Sequence, residues 1–445
     1  MSLPSTSATL LHGPLDIRVD NARPLWPAPP GHATVQIEAT GLCGSDLHYY
    51  LHGRNGDFKV RAPLVLGHEA AGVIVALGPP APTPGAGENA GPRLKVGMRV
   101  AIECGVMCGT CGYCTEGRYN LCKNMRFCSS AKTFPHLDGT LQEKMNHPVH
   151  LLHPIPDNVS YEQAALAEPL SVLIHSARRV GLSPPTSFPY SPSASSSPYS
   201  NPLQNGTSQP EAPYNFDHAN NKSVLVFGTG AIGLLACLLA RVHGAKRVVA
   251  LDINQERLSF ARDHGLADEV YCLPLGKPAS GEDALEQAQA TITTALSTLL
   301  PTSADDDKGV EGADIVFECT GAPSCIQQSV FAAKPGGKVI LIGMGSRNVV
   351  FPVSAAATRE VDILGSFRYA RTYGEALALI GSGRLKGKSA PEGSEGKELR
   401  VLEDMVTHRF ALKDVKEAFE LMRKGRDEQG RLCLKVVVNR GSSSA

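Results

Sequence analysis

From about Ala33 to Val149, short apolar runs such as TVQIEAT, LVLGHEAAGVIVALG and RVAIEC are separated by Gly, Pro and Asn clusters, predicting a mostly all-β region. The period changes at Ala164. In AALAEPLSVLIHSARRVGL, apolar residues recur at Leu170, Leu173, Ile174, Ala177 and Val180, and Pro169 suits a first turn, so this stretch predicts a helix. Residues 183–222 are so rich in Ser, Pro and Asn that they predict a disordered surface insertion. Shorter Pro/Gly-rich or polar excursions begin at Pro79 and Ala390 and predict loop extensions.

After Ser223 the rhythm becomes strand, helix, strand: SVLVFG, a helix from about Ala231 to His243, then RVVALD. ADIVFECTG and GGKVILIGMG add two buried strands, which predicts a parallel sheet. The tail from Arg368 returns to helices and a last strand, CLKVVVN, and no internal repeat is present. The apolar run from Val224 to Val242 is long enough to raise a membrane span, but Gly228, Gly230 and Gly233 break it where a buried strand would turn into a helix.

Composition sharpens this picture without redirecting it. With 445 residues, 42% apolar and 6% aromatic, the chain suits a globular α/β protein with more than one core. Lys plus Arg and Asp plus Glu number 43 each, so no net field draws in nucleic acid or an anionic membrane. The N-terminus lacks the basic start and apolar core of a secretory signal, and the expected location is cytoplasmic. In that reducing setting the 12 cysteines read as metal ligands, small buried residues or redox groups, not disulfides. The N-x-[ST] sequons at Asn205 and Asn221 then carry no weight.

VLVFGTGAIG places Gly228, Gly230 and Gly233 in G-x-G-x-x-G spacing after a strand, with Ala231 and Ile232 opening the helix. The glycines allow the turn, the backbone approach to a pyrophosphate and close helix packing, and the helix N-terminus favours phosphate. Asp252 ends the next strand, where a carboxylate accepts hydrogen bonds from ribose hydroxyls and repels a 2′-phosphate. NAD is therefore expected over NADP, with Arg257 nearby as the one residue favouring the alternative.

CGTCGYCTEGRYNLC sets Cys108, Cys111, Cys114 and Cys122 as C-x2-C-x2-C-x7-C, a spacing that lets four thiolates close around a tetrahedral zinc. An iron–sulfur cluster is the competing occupant. Cys104 and Cys128 flank the lobe without an assigned role. A second set looks catalytic: Cys43, Ser45 and His48 in GLCGSDLHYY, His68 and Glu69 in LVLGHEAAG, and Glu168 in LAEPLSV. A mixed Cys, His and carboxylate set that leaves one position open is what a catalytic zinc requires. Either Cys43 or His68 taken singly is better read as an ordinary buried side chain, and it is the set that points to a metal.

With these residues in view, the sequence resembles the zinc-dependent medium-chain alcohol dehydrogenases, in the polyol branch of sorbitol, xylitol and L-arabinitol dehydrogenases. The motifs are GLCGSDLHYY, LGHEAAG, CGTCGYCTEGRYNLC, AEPLSV, VFGTGAIG, ECTG and GSFRYA, and the likeness spans nearly all of the chain outside the insertions. The resemblance implies an α/β protein with a GroES-like β-rich catalytic domain and a Rossmann, doubly wound parallel-sheet coenzyme domain. It divides the chain into residues 1–168, with a zinc lobe near 104–128, a coenzyme domain at 169–367, and a C-terminal return at 368–445. It implies one catalytic and one structural zinc, NAD, and a cleft between the domains.

Carried over, Cys43 and His68 become zinc ligands, and Glu69 and Glu168 share the remaining role, one on the metal and the other through water, with the choice left open. Tyr49, Glu168, Arg368 and Tyr369 line the polyol pocket, Gly343, Phe367 and Arg368 join the coenzyme contacts, and Ser45 and His48 relay a proton to solvent. A solvated side chain is an equally good reading of His48. The expected partner is a small polyol, oxidised to a ketose, with D-sorbitol to fructose first and L-arabinitol or xylitol as alternatives. The resemblance also implies a homotetramer or dimer. A non-catalytic NAD-binding protein keeping the fold is the reading from another class.

Overall fold

A computed structural model describes residues 3–80, 94–182, 221–276, 281–299, 312–346, 348–388 and 400–441. The sequence-predicted insertion at 183–222 and the excursion from Ala390 lie almost wholly outside these residues, as does most of the excursion from Pro79.

Two sheets carry the architecture. The first has seven strands, running Leu152–Pro154, Arg99–Ile102, Glu69–Leu77, His32–Gly41, Lys435–Asn439 and Val406–Ala411, with Lys144–Pro148 also paired to His32–Gly41. In the middle of His32–Gly41, Val35, Ile37 and Ala39 are buried while Gln36 and Glu38 are partly exposed, the period of a strand with one face on the core; its two ends are buried on both faces. The pairing of Lys435–Asn439 with His32–Gly41 is antiparallel, Val437 opposite Gly41, so the end of the chain completes a sheet built at its start. A smaller sheet joins Asp16–Pro24, Ser5–Gly13 and Leu64–Val65.

The second sheet has six parallel strands in the order Glu269–Cys272, Arg247–Asp252, Ser223–Phe227, Ala313–Glu318, Ala333–Leu341 and Asp362–Gly365. Numbered within the sheet this is 3-2-1-4-5-6, the doubly wound dinucleotide order, whose switch point falls beside the first strand. The apolar run from Val224 to Val242 resolves into the end of strand Ser223–Phe227 and helix Ala231–Val242. No helix among the described residues is long and apolar enough to cross a membrane.

The structure departs from the sequence expectation in several places. The stretch from Ala164 is not one helix: Tyr161–Ala165 is capped by Ser160, and a second helix, Ala167–Arg179, follows after Leu166. The β-rich region contains the helix Gly44–His52, and the tail has two strands in place of one. Helix Glu282–Leu299 buries Ala288, Ile292, Ala295, Leu296 and Leu299 on one face.

Candidate functional site

Strands His32–Gly41 and Glu69–Leu77 pair antiparallel with Gly41 opposite Glu69, so the residues just past one strand and those opening the other meet at one end of the sheet. Cys43 is there, as the extended N-cap of helix Gly44–His52, beside His68 and Glu69. One ligand atom from each of Cys43, His68 and Glu69 lies within 4.8 Å of the others. His68 and Glu69 are buried and Cys43 is partly exposed, which leaves an approach from one side.

Asp46 fixes the histidine. It is fully buried, and its Oδ1 lies 3.3 Å from His68 Nδ1. Ser129 Oγ donates to that oxygen at 2.6 Å and Gly67 N–H at 3.1 Å, while Cys43 N–H donates to Oδ2 at 3.2 Å. Burial opposes charge on His68, but the Asp46 carboxylate outweighs it and raises the imidazole pKa well above its usual value. With Nδ1 held by Asp46, Nε2 is the nitrogen left for a metal, the usual carboxylate–histidine arrangement at such sites. Ser45 Oγ is 3.5 Å from Nε2.

Glu69 is paired with the buried Lys435, whose Nζ also donates to the Leu42 carbonyl at 2.9 Å. Glu168 lies outside the mutual set, buried in the first turn of helix Ala167–Arg179. Burial raises its pKa to about 7; the His68 charge opposes that shift and the Glu69 charge adds to it. Neither Asp46 nor Lys435 was among the sequence-predicted site residues. Asp46 had a local signal, three positions after a helix-capping residue. Lys435 had none, because it reaches the site only through sheet pairing.

The remaining predicted residues take up distinct positions. His48 is exposed and adjoins His52, with ring centroids 6.0 Å apart. Tyr49 is buried, and its hydroxyl accepts from Ala131 N–H at 3.0 Å. The Arg368 guanidinium lies 3.8 Å from the Phe127 ring centroid and 4.8 Å from that of Phe367. Its Nη1 is 3.4 Å from Met125 Sδ and its Nη2 is 3.4 Å from Ser130 Oγ. Burial lowers the Arg368 pKa to about 10, against the opposing pull of Tyr369 and Glu168. Tyr369 is buried against Tyr373, ring centroids 5.4 Å apart.

At the coenzyme-type turn, Gly230 caps helix Ala231–Val242, with Ala231 and Ile232 in its first turn. A Cβ on Gly233 would fall 1.7 Å from the Gly228 carbonyl oxygen, so only glycine allows this helix to lie so close to the strand. Asp252 Oδ2 accepts from Thr229 N–H at 2.5 Å and from Thr229 Oγ1 at 2.9 Å, which ties the turn to the end of the next strand. Arg257 follows on helix Gln255–Asp263. Gly343 packs against Gly321 beyond strand Ala333–Leu341, and Phe367 lies beside Lys132.

The four-cysteine lobe suits a closed metal site. Its sulfurs lie 3.5 Å (Cys111 to Cys114), 3.5 Å (Cys122 to Cys108) and 3.9 Å (Cys108 to Cys114) apart. A tetrahedron with metal–sulfur bonds of about 2.3 Å has edges of about 3.8 Å, so the thiols already approximate that shape. The cysteines of the chain are free, with no disulfide among the described residues.

Residues 29–157 match the alcohol dehydrogenase GroES-like domain and residues 231–382 the zinc-binding dehydrogenase family. Sorbitol dehydrogenase of Gallus gallus is 34% identical, with 94% of this chain and 93% of that protein covered. L-idonate 5-dehydrogenase of Vitis vinifera is 33% identical, covering 89% and 86%. A solved oxidoreductase/dehydrogenase of unknown specificity from Escherichia coli superposes with a TM-score of 0.71 at 26% identity, covering 99% and 100%. With a GroES-like domain, a doubly wound coenzyme sheet and relatives alike over nearly their full length, the chain belongs to the zinc-dependent medium-chain dehydrogenases, in the polyol branch.

Proposed function

We propose that this dehydrogenase oxidises a secondary hydroxyl of a small polyol to a ketose with NAD, D-sorbitol to fructose being the first candidate. The observation that carries the reading is the convergence of Cys43, His68 and Glu69 within 4.8 Å, with Glu168 buried nearby. Cys43 and His68 would hold a catalytic zinc with Glu69, and Glu168 would act through water. Cys108, Cys111, Cys114 and Cys122 would hold a structural zinc. Bound in these places, zinc supplies Lewis acidity that favours a deprotonated hydroxyl, and nicotinamide supplies the hydride acceptor.

The residues of the chain do the rest. Asp46 holds the Nδ1 proton and the ring orientation of His68, and Lys435 neutralises the negative charge of Glu69. Tyr49, Arg368 and Tyr369 would bind and orient the polyol, which supplies the positioning on which hydride transfer depends. Ser45 and His48, one turn apart on helix Gly44–His52, would pass the proton toward solvent. Asp252 favours NAD because a 2′-phosphate would meet its carboxylate. The same reading assigns residues 1–168 and 368–445 to the catalytic body and 169–367 to coenzyme binding, supported by the pairing of Lys435–Asn439 with His32–Gly41. It places the enzyme in the cytoplasm as a homo-oligomer.

The test combines metal content with steady-state rates on sorbitol, xylitol, L-arabinitol and L-idonate, using NAD and NADP in parallel. About two zinc per chain and NAD-linked oxidation of sorbitol are expected. One zinc with no turnover on any substrate would mark a non-catalytic protein. A higher kcat/KM on xylitol, L-arabinitol or L-idonate would reassign the substrate.

Asp46→Asn tests the support beneath the ligands. It keeps the side-chain shape but removes the charge that fixes His68, and it is expected to weaken catalytic zinc binding about 10- to 100-fold. Chelator competition measures this, and unchanged affinity would remove Asp46 from the metal site.

A further inference from the structure

The segment Ser366–Thr372 leaves the coenzyme sheet and carries two of the pocket residues proposed above. Its backbone is unusual: Arg368 has φ +52° and Arg371 has φ +56°, both in the left-handed region that non-glycine residues rarely adopt. Such conformations persist only where surrounding contacts over-determine them. On one side the contacts come from helix Ala167–Arg179, which also carries Glu168. Ser176 Oγ lies 2.8 Å from Ser366 Oγ, and Arg178 Nη1 donates to the Arg371 carbonyl at 3.3 Å.

On the other side the contacts come from the four-cysteine lobe, between its third and fourth thiols. Asn120 Nδ2 donates to the Phe367 carbonyl at 2.9 Å. Tyr119 Oη accepts from Arg371 N–H at 2.7 Å and donates to the buried Glu103 carboxylate at 2.7 Å. Glu103 is held in turn by His153 Nε2 at 2.7 Å, so the phenol oxygen is fixed both as donor and as acceptor. Gly117, at φ +75°, lies directly against the Arg371 guanidinium, where a Cβ would come within 2.2 Å of Cζ. Three lobe residues thus bracket Arg368 and Tyr369 from before and after.

We propose that Tyr119 and Asn120 are positioning residues for the substrate pocket, through which the cysteine lobe holds Arg368 and Tyr369 in place. The proposal rests on the reading that Arg368 and Tyr369 bind the polyol, and it gives the lobe a task beyond stability. The coenzyme turn at Gly228–Gly233 is not part of this bracket, which reaches the coenzyme only through the contacts expected of Phe367 and Arg368, so polyol recognition should suffer more than coenzyme binding.

The test uses the full-length, zinc-loaded protein carrying Tyr119→Phe or Asn120→Ala. Each is expected to speed hydrogen–deuterium exchange of residues 366–372 about tenfold or more, with the rest of the chain unchanged. Each is expected to lower kcat/KM for the polyol about 10- to 100-fold, mainly through KM, while NADH affinity, which also draws on Gly228–Gly233 and Asp252, falls by a factor at least about fivefold smaller. In an Arg368→Ala background the further loss from Tyr119→Phe should shrink to under about twofold, since both changes act on one contact. Wild-type exchange at 366–372 in both variants overturns the proposal, whatever the activity. So does full additivity with Arg368→Ala, or exchange that rises across the whole chain with a matching loss of NADH affinity. A wild-type protein inactive on every polyol would overturn the assigned reaction instead, and the exchange measurement would still decide whether the lobe holds this segment.

Discussion

Replacing Cys43 with serine is expected to leave a folded protein that binds NADH normally, carries about one zinc per chain instead of about two, and oxidises its polyol at least ~10³-fold more slowly. The fold should survive because serine keeps the helix cap: its backbone N–H still donates to Asp46, and its hydroxyl can accept from the Asp46 N–H in place of the thiol. The metal should be lost because Cys43 is one of only three side chains in the converging set, and Glu69 is already engaged by Lys435. Coenzyme binding should be spared because Gly228–Gly233 and Asp252 lie on the parallel sheet. Removing a Lewis acid that stabilises developing charge costs several kcal/mol of barrier, and each 1.36 kcal/mol is about tenfold in rate. Wild-type turnover in Cys43→Ser would remove this metal from the reaction. Lost NADH binding would mean that the substitution had damaged more than the metal site.

Much of this site was legible in the sequence because its signals are local. The glycine turn, the acid ending the next strand and the four cysteines each sit within one short motif, where spacing alone constrains geometry. Cys43 and His68 were legible by motif, although only the antiparallel pairing of their strands brings them together. What escaped was either non-local or disguised. Lys435 and Glu69 meet because the final strand inserts beside His32–Gly41, and Tyr119 reaches Arg371 across a sequence separation of 252 residues. Strand Ser5–Gly13 was hidden because Thr6 and Thr9 are buried polar residues, which blur the apolar alternation a strand usually shows. Helix Glu282–Leu299 keeps a helical stripe of Ala288, Ile292, Ala295, Leu296 and Leu299, but it was obscured because two of those positions are Ala and small Ala, Ser and Thr residues also fill the other faces. The sequence could not choose between Glu69 and Glu168, since both are acids beside apolar residues; in the fold, Glu69 joins the group around Cys43 and His68 and Glu168 lies outside it.

Cys111→Ser should act on the other metal with a different signature: a melting temperature lower by about 10 °C or more, with one zinc lost and the catalytic zinc retained. The outer part of the lobe, from Cys108 to Tyr113, has little else to hold it. Its helix Gly112–Thr115 is four residues long, Tyr119–Leu121 is a single 3-10 turn, and Cys111, Cys108 and Tyr113 are not buried. The thiols are also mismatched for a metal-free state. Backbone N–H groups of Thr110 and Cys111 lower the Cys108 pKa to about 5, whereas burial and neighbouring thiols raise that of Cys114 to about 12. A bound dication would take all four sulfurs as thiolates, and its binding energy would be folding energy because the unfolded chain has no preformed site. Serine cannot replace the sulfur ligand, so the loop from Cys108 to Cys122 should loosen, and the hold of Tyr119 and Asn120 on Arg371 and Phe367 should loosen with it. Below the new melting temperature the variant should show a polyol KM raised by a larger factor than its NADH Kd. An unchanged melting temperature with activity abolished would reverse the assignment, placing this cysteine in the chemistry and not in the scaffold.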